Sequence, residues 1–306
     1  MKVSVVIITK NRIESLKKCV ESLLKQTVLP YELIVVDGSD NEETKEYIDK
    51  LKKFVNFSVF YIKQEHGGTA TARNLGANIA SGEIVLFVDD DVLLYPDYIE
   101  KLICLFKEDK DGTIGCVGGN PICPGHRHNF LSKIFSKIFG IIFLRDSLTP
   151  GGVTKAGHHS ALPNKTSYVK WLGGSQFACR KTILKEFHWD ERLEKYSTYA
   201  FYEDFDFTYS VSKKYKLLLS AELKSIHLCS PEGREETSNV NFAKILNHYY
   251  LVKKHEFSKI AFWWSKFGLL IAHILILILK PKKENYMALK MLIRGCMHIA
   301  CKVRKK

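Results

Sequence analysis

Residues Ile84 to Val88 form an unbroken apolar run that stops on three adjacent carboxylates, Asp89, Asp90 and Asp91. Its length and β-branched content suit a strand buried on both faces. No core accepts three neighbouring negative charges without water or cations to receive them, so the run must end at the rim of a crevice. In extended chain Asp89 and Asp91 project to one side and Asp90 to the other. Two converging carboxylates make a seat for a hard divalent ion able to hold phosphate oxygens. The bland alternative is a solvated acidic turn before a helix, with Pro96 near its first turn and Asp97 at its positive end.

The chain before this run repeats one unit. Val3 to Ile8 is a first strand, ending at Thr9-Lys10-Asn11-Arg12, and Leu16, Cys19, Val20, Leu23 and Leu24 then recur at helical spacing. Leu33 to Val36 is a second strand, ending on Asp37-Gly38-Ser39-Asp40; a helix follows with Tyr47, Ile48, Leu51 and Val55 on one face. Phe57 to Ile62 is a third strand, and a helix spans Ala70 to Gly76. Repeated β-α-β predicts a mostly parallel sheet covered by helices, with ligands outside the carboxyl ends of its strands. Thr9, Asp37 and the acidic triplet then fall on one edge. Asp37 either accepts from a nucleobase N–H or closes an Asx-turn. Arg73 either approaches a diphosphate, pairs with an aspartate of the site, or is an exposed helical arginine.

A net charge of +13 calls for an anionic partner such as a nucleotide, a lipid phosphate or an anionic membrane. The basic residues accompany no nucleic-acid motif, so nucleic acid is not expected. The eight cysteines form no CxxC pair and read as reduced core residues of a cytosolic protein. Cys123 with His126 and His128 is a faint zinc pattern, outweighed by a solvated loop. MKVSVVIIT reads as a strand, without the charged n-region and cleavage site of a signal peptide.

The stretches SVVIITKNR, ELIVVDGSDNEET and GGTATARNLGANIASGEIVLFVDDD, with Pro96 after them, resemble the nucleotide-binding half of inverting family 2 glycosyltransferases of the GT-A fold. The resemblance is close over the first 120 residues and looser to about residue 255. It implies an α/β fold with a mostly parallel twisted sheet flanked by helices. It also implies a nucleotide diphosphate sugar as donor, a uridine diphosphate sugar favoured, although the family's frequent second Asp is Gly38 here. Thr9, Asn11, Arg12, Asp37, Arg73 and Asp90 would bind the nucleotide. Asp89 and Asp91 would hold Mn²⁺ or Mg²⁺, joined by His227, whose other reading is a structural hydrogen-bonder. Tyr168 to Arg180 resembles the segment that approaches the donor sugar and leads into a helix from Lys181 to Phe187; Gly173, Gly174 and Ser175 lie in it. Phe201-Tyr202-Glu203-Asp204 resembles the family's Glu-Asp motif. By that match Asp204 is the general base and Glu203 its neighbour in the acceptor region, although the Gly common before this motif is replaced by Ala200-Phe201-Tyr202. Bare charge at a helix N-terminus is the alternative for both. No Gln follows Gln176, so the QxxRW signature of processive synthases is absent.

Two segments carry membrane signals. Phe130 to Leu144 is densely apolar, with Lys133 and Lys137 on one side. Ile260 to Leu279 opens with Trp263-Trp264 and closes on Lys280-Pro281-Lys282-Lys283, a length and flank that suit a bilayer. A spanning helix, an interfacial helix and a helix packed on the protein all fit, membrane attachment being favoured over packing; Lys302 to Lys306 add attraction to anionic lipid. The expected layout is a nucleotide-sugar half (1–120), an acceptor and catalytic half of the same domain (121–235), and a helical membrane-associating region (236–306).

The expected activity is transfer of one sugar to an acceptor hydroxyl, lipid-linked or on a cell-surface glycan precursor, at the cytoplasmic membrane face. The rivals are a polyprenyl-phosphate sugar synthase and a non-catalytic nucleotide-sugar-binding scaffold. A sugar-1-phosphate nucleotidyltransferase would need a Gly-rich loop where Thr9-Lys10-Asn11-Arg12 stands.

Overall fold

A computed structural model of the chain describes residues 1–119, 121–122, 135, 138–139, 165–230, 232 and 237–304. Two compact units divide it. The first comprises Met1–His126, Pro163–Glu191 and Glu203–Arg234, the second Arg127–Leu162, Arg192–Tyr202 and Glu235–Lys306.

The first unit opens with β1 (Val3–Thr9), α1 (Ile13–Leu24), β2 (Glu32–Asp37), α2 (Glu43–Leu51), β3 (Ser58–Lys63), α3 (Thr69–Ile79) and β4 (Ile84–Asp89). Then follow β5 (Val92–Leu94), α4 (Tyr98–Glu108), β6 (Ile114–Gly119), β7 (Ser167–Val169), β8 (Gln176–Arg180), β9 (Lys216–Ser220) and β10 (Ser225–His227). The main sheet runs β3-β2-β1-β4-β8-β6-β9-β7. β1 is parallel to both β2 and β4, and β2 to β3. Past β4 the pattern breaks, because β8 enters antiparallel to β4 and β6. β5 and β10 form a separate antiparallel pair.

Burial explains this order. Every residue of β2 is buried, as are all residues of β4 except the terminal Asp89, so these strands need helices on both faces. The core gathers Val5, Ile7, Leu16, Leu33, Val35, Leu86, Tyr98 and Leu102, each fully or almost fully excluded from water; burying such a side chain contributes roughly 1.5–3 kcal/mol. Gly76 brings α3 close to the sheet, since a Cβ there would run into Val6. The expected elements form, with shorter bounds in places. α2 stops at Leu51, and Val55 reaches the core from the following turn. The helix after β8 is only Ile183–Glu186.

The second unit holds the helices Thr237–Lys254, Lys259–Leu279 and Lys283–Arg304. Its core is Ile245, Leu246, Val252, Phe262, Leu292 and Ile299. Cys123, His126, His128 and most of Phe130 to Leu144 lie outside the described residues.

Candidate active site

Strand register sets the floor of the site. Thr9 pairs with Asp37 and Ile8 with Asp89, so the carboxyl ends of β1, β2 and β4 stop at one level. The alternation expected for the acidic triplet appears only in part, because β4 ends at Asp89 and Asp90 and Asp91 lie in the turn after it. Asp90 accepts from Thr9 Oγ1 at 2.8 Å and from Arg12 Nη1 at 2.8 Å, and the same guanidinium reaches Asp91. Asp89 and Asp91 nevertheless converge on His227. One potential ligand atom from each of these three lies within 4.8 Å of the others.

Two carboxylates and an imidazole at this spacing fit a divalent cation of the Mn²⁺ or Mg²⁺ kind, the imidazole favouring the softer Mn²⁺. His227 Nε2 lies 3.1 Å from Asp91 Oδ1, while its Nδ1 is buried with no hydrogen-bond partner among the described residues. The other oxygen of Asp91 accepts from Arg12 Nη2 at 2.7 Å and from the Ser230 N–H at 3.0 Å. Burial alone would raise the Asp91 carboxyl, but the hydrogen bond and charge of His227, with the Arg12 guanidinium, hold it at about 2. Burial pushes Asp90 the opposite way, up to about 7, against the pull of Arg12 and Thr9.

Asn11 does not face the triplet. Its φ of 55° and its amide bonds to Asp40, at 2.7 and 2.9 Å, tie the β1–α1 turn to the loop after β2. Asp37 is wholly buried; Ser39 N–H and Tyr61 O–H each donate to one of its oxygens at 2.9 Å. The Asx-turn is therefore present, and each carboxylate oxygen keeps one further lone pair.

Arg73 is not an exposed helical residue. It is 4% exposed and ion-paired to Glu203, to Asp89 at 3.2 Å, and through a hydrogen bond to Gly174 O at 3.3 Å. Burial pushes the Glu203 carboxyl up to about 7, against the opposing charge of Arg73. Glu203 opens the helix Glu203–Val211, and Asp204 follows in its first turn. Gly174 N–H donates to Asp204 Oδ2 at 2.6 Å, and Phe205 N–H to Oδ1 at 2.7 Å. Tyr202, just before the pair, takes φ of 74°, a left-handed conformation that ordinarily calls for Gly. Tyr202 thus adopts a backbone conformation that Gly would take without steric cost.

The two glycines differ. A Cβ on Gly174 would sit 3.0 Å from Asp204 Cβ and 3.1 Å from Arg73 Nη2, whereas one on Gly173 would meet only the edge of Trp171 at 3.9 Å. Ser175 serves β4 from its backbone, accepting from Asp89 N–H at 2.9 Å. Sequence reasoning missed Ser230 and Tyr61. Ser230 acts through its backbone N–H, which no motif marks; Tyr61 lies in β3 opposite Val35, two residues short of Asp37, a juxtaposition visible only once register is known.

The family model described as "Glycosyl transferase family 2" matches residues 4–166, just over half of the chain. The chain belongs to glycosyl transferase family 2. Over 125 residues it is 38% identical to the glucosyl-dolichyl phosphate glucuronosyltransferase of Haloferax volcanii, covering 40% of this chain and 39% of that relative's length. Among solved structures, residues 1–349 of Staphylococcus aureus TarS superpose with a TM-score of 0.58 at 19% identity, over 96% of this chain and 81% of that one. GalNAc-T7 with UDP, GalNAc and Mn²⁺ gives a TM-score of 0.63 at 19% identity, over 83% and 48%. At these identities the structural likeness establishes the GT-A fold. Within this family 2 member, every candidate residue named above lies in the first unit.

Proposed function

We propose that this family 2 protein is a metal-dependent inverting glycosyltransferase. It moves one sugar from a nucleotide diphosphate sugar, a uridine diphosphate sugar favoured, to an acceptor hydroxyl on a lipid-linked or cell-envelope glycan precursor. The observation that carries the reading is the chain of contacts from Asp204 through Gly174 and Arg73 to Asp89, which joins a carboxylate base to a three-ligand cation seat.

Asp89, Asp91 and His227 would hold the ion, which supplies a positive charge to stabilise the departing diphosphate. Arg12 and Thr9 fix Asp90 beneath the nucleotide, and Asp37 and Asn11 shape its base end. Asp204 takes the proton of the acceptor hydroxyl through a carboxylate whose orientation two backbone N–H groups already fix. The acceptor oxygen attacks the anomeric carbon as its bond to the diphosphate oxygen breaks on the opposite face. One displacement inverts the configuration.

Residues 1–120 serve as the nucleotide-sugar half, 121–235 as the acceptor and catalytic half, and 236–306 as the membrane-associating region. The name of the Haloferax relative, a transferase acting on a dolichyl-phosphate-linked sugar, supports a lipid-linked acceptor; the cytoplasmic face of a membrane is the proposed place of transfer. The test is a panel of nucleotide sugars with Mn²⁺. A matching donor at 100 times its dissociation constant adds ~2.7 kcal/mol of stability. With acceptor present it releases nucleoside diphosphate and leaves a product of inverted anomeric configuration. Stabilisation without turnover on any acceptor would instead mark a binding scaffold.

A further inference from the structure

The chain's positive charge is concentrated. Residues 237–306 contain fourteen Lys and Arg against two Glu, so twelve of the thirteen net positive charges fall in this stretch. The same stretch holds the described helix that is long and apolar enough to cross a membrane, Lys259–Leu279. On one face of that helix Ile260, Trp263, Trp264, Phe267, Leu275 and Ile278 are exposed, Ile278 to 70%. Ile138 and Phe139 meet the same face, with the Phe139 ring tilted 5.1 Å from that of Trp264 and the Trp264 indole N–H donating to Ile138 O at 3.0 Å.

The opposite face of the helix decides how it meets a bilayer. Phe262, Ser265, Lys266 and Gly268 are buried in the second unit. Lys266 Nζ lies 2.9 Å from His248 Nδ1, on the helix Thr237–Lys254, which ends on Lys253 and Lys254. The first turns of Lys259–Leu279 are thus bound to a helix too polar to enter hydrocarbon. Leu269 and Leu270 also pack against this core, so what remains, residues 271 to 279 of the helix, is nine residues, about 14 Å against a core of roughly 30 Å. The chain then turns at Lys280–Lys282 and comes back. Leu292 and Ile299 of the helix Lys283–Arg304 share a core with Ile245 and Phe262, and Arg294 stacks over Phe242 at 5.3 Å. A helix that crossed a bilayer would leave its successor on the far side, away from the Thr237 helix it packs on.

We infer that Lys259–Arg304 is a hairpin seated in one leaflet of an anionic phospholipid bilayer, lying in the interface and not crossing it. The exposed apolar stripe enters the acyl boundary, and the lysines at 259, 280, 282 and 283 meet the headgroups. This rests on the membrane reading above and names its mode.

Two measurements on the full chain test it. In flotation, vesicles of phosphatidylcholine mixed with phosphatidylglycerol should bind the protein at least about tenfold more tightly than phosphatidylcholine alone. The Ile278→Asp, Leu279→Asp double variant changes only exposed residues, should fold normally, and should lose most of that binding. In sealed membrane vesicles of either orientation, an impermeant maleimide should reach the exposed Cys104 and Cys301 together or not at all, read by peptide mass mapping. Labelling from opposite sides would overturn the in-plane hairpin while leaving membrane attachment standing. Equal binding to both lipids, or an unchanged double variant, would overturn the anionic leaflet as partner. No binding to any vesicle, or a soluble dimer in which the stripe is protected, would overturn both the hairpin and the membrane reading, and would leave sugar transfer to be judged by nucleoside diphosphate release.

Discussion

Arg73 donates to Asp89 at 3.2 Å while its other terminal nitrogen holds Glu203, so one buried cation joins the end of β4 to the start of the helix bearing Asp204. The Glu203 side chain is 10% exposed and that of Asp89 25%, so Glu203 depends on this cation the more. Arg73→Ala strands both and should cost ~3–5 kcal/mol in chemical denaturation. Glu203→Gln keeps an acceptor for the guanidinium and should cost far less, about 1 kcal/mol. Equal losses from the two variants would mean that the pair contributes packing and not charge.

The cation seat predicts a graded loss of metal binding. Asp91→Asn removes a ligand charge and also weakens the hold of Arg12 and Ser230 on this turn. It should reduce Mn²⁺ affinity, measured by calorimetry, by more than the ~10-fold typical of losing an outer partner. His227→Ala should weaken binding less and shift preference toward Mg²⁺, because only oxygen ligands remain. Chelation by EDTA should abolish transfer, and added Mn²⁺ should restore it. Transfer that persists at full rate in EDTA would remove the ion from the reaction.

Asp204→Asn preserves the shape of the side chain and an oxygen to accept from Gly174 N–H, but it cannot take a proton. Turnover should fall ~10²- to 10⁴-fold while donor binding, followed by thermal shift, is retained. A parallel loss of donor binding would assign Asp204 to the nucleotide and not to the acceptor.

Much of this was legible in the chain, and the reasons are physical. The apolar runs at Val3, Leu33 and Ile84 are buried on both faces, which leaves their period and length unambiguous, and each ends on polar residues that mark the sheet edge. The acidic triplet disclosed that Asp89 and Asp91 converge, although β4 ends at Asp89 and the other two carboxylates lie in the turn after it. Sequence could not separate the three readings of Arg73, since its partners Glu203 and Gly174 lie a hundred or more positions away. Nor could it tell which glycine was needed, because the crowding at Gly174 comes from Asp204 and Arg73 and not from its own neighbours. The entry of β8 between β4 and β6 was equally hidden, as a five-residue strand carries no record of its direction.

That crowding separates two adjacent residues. Gly174→Ala would press a methyl against the Asp204 carboxylate and the Arg73 guanidinium, displacing Asp204 by a few tenths of an ångström. Transfer should fall by ~10²-fold, the cost of a small misplacement near the chemistry. Gly173→Ala has space beside Trp171 and should leave the rate within about threefold, since substitutions without a clash cost little. A reversed order in steady-state kinetics would place the close approach at Gly173 instead.

Acid stability should report on Asp109, at the turn from α4 into β6. Its carboxylate accepts from Thr113 N–H at 3.0 Å, Thr113 O–H at 3.1 Å, Ile114 N–H at 2.8 Å and Arg180 at 2.9 Å. Burial opposes the charge, but these donors outweigh it and lower the pKa from its usual 3.8. A carboxyl depressed in the folded state releases its proton more readily there than in the unfolded chain. Its contribution is therefore complete above the unfolded value and disappears as pH falls through the lower, folded one. At pH 7 Asp109→Ala should lose about 2 kcal/mol, because it leaves the N–H groups of the turn and Arg180 without their acceptor. As pH falls through that lowered value the wild-type carboxyl takes up its proton, and the two melting curves should draw together. A gap that stays constant down to that pH would mean the turn is held by packing of α4 on β6, with the carboxylate contributing nothing.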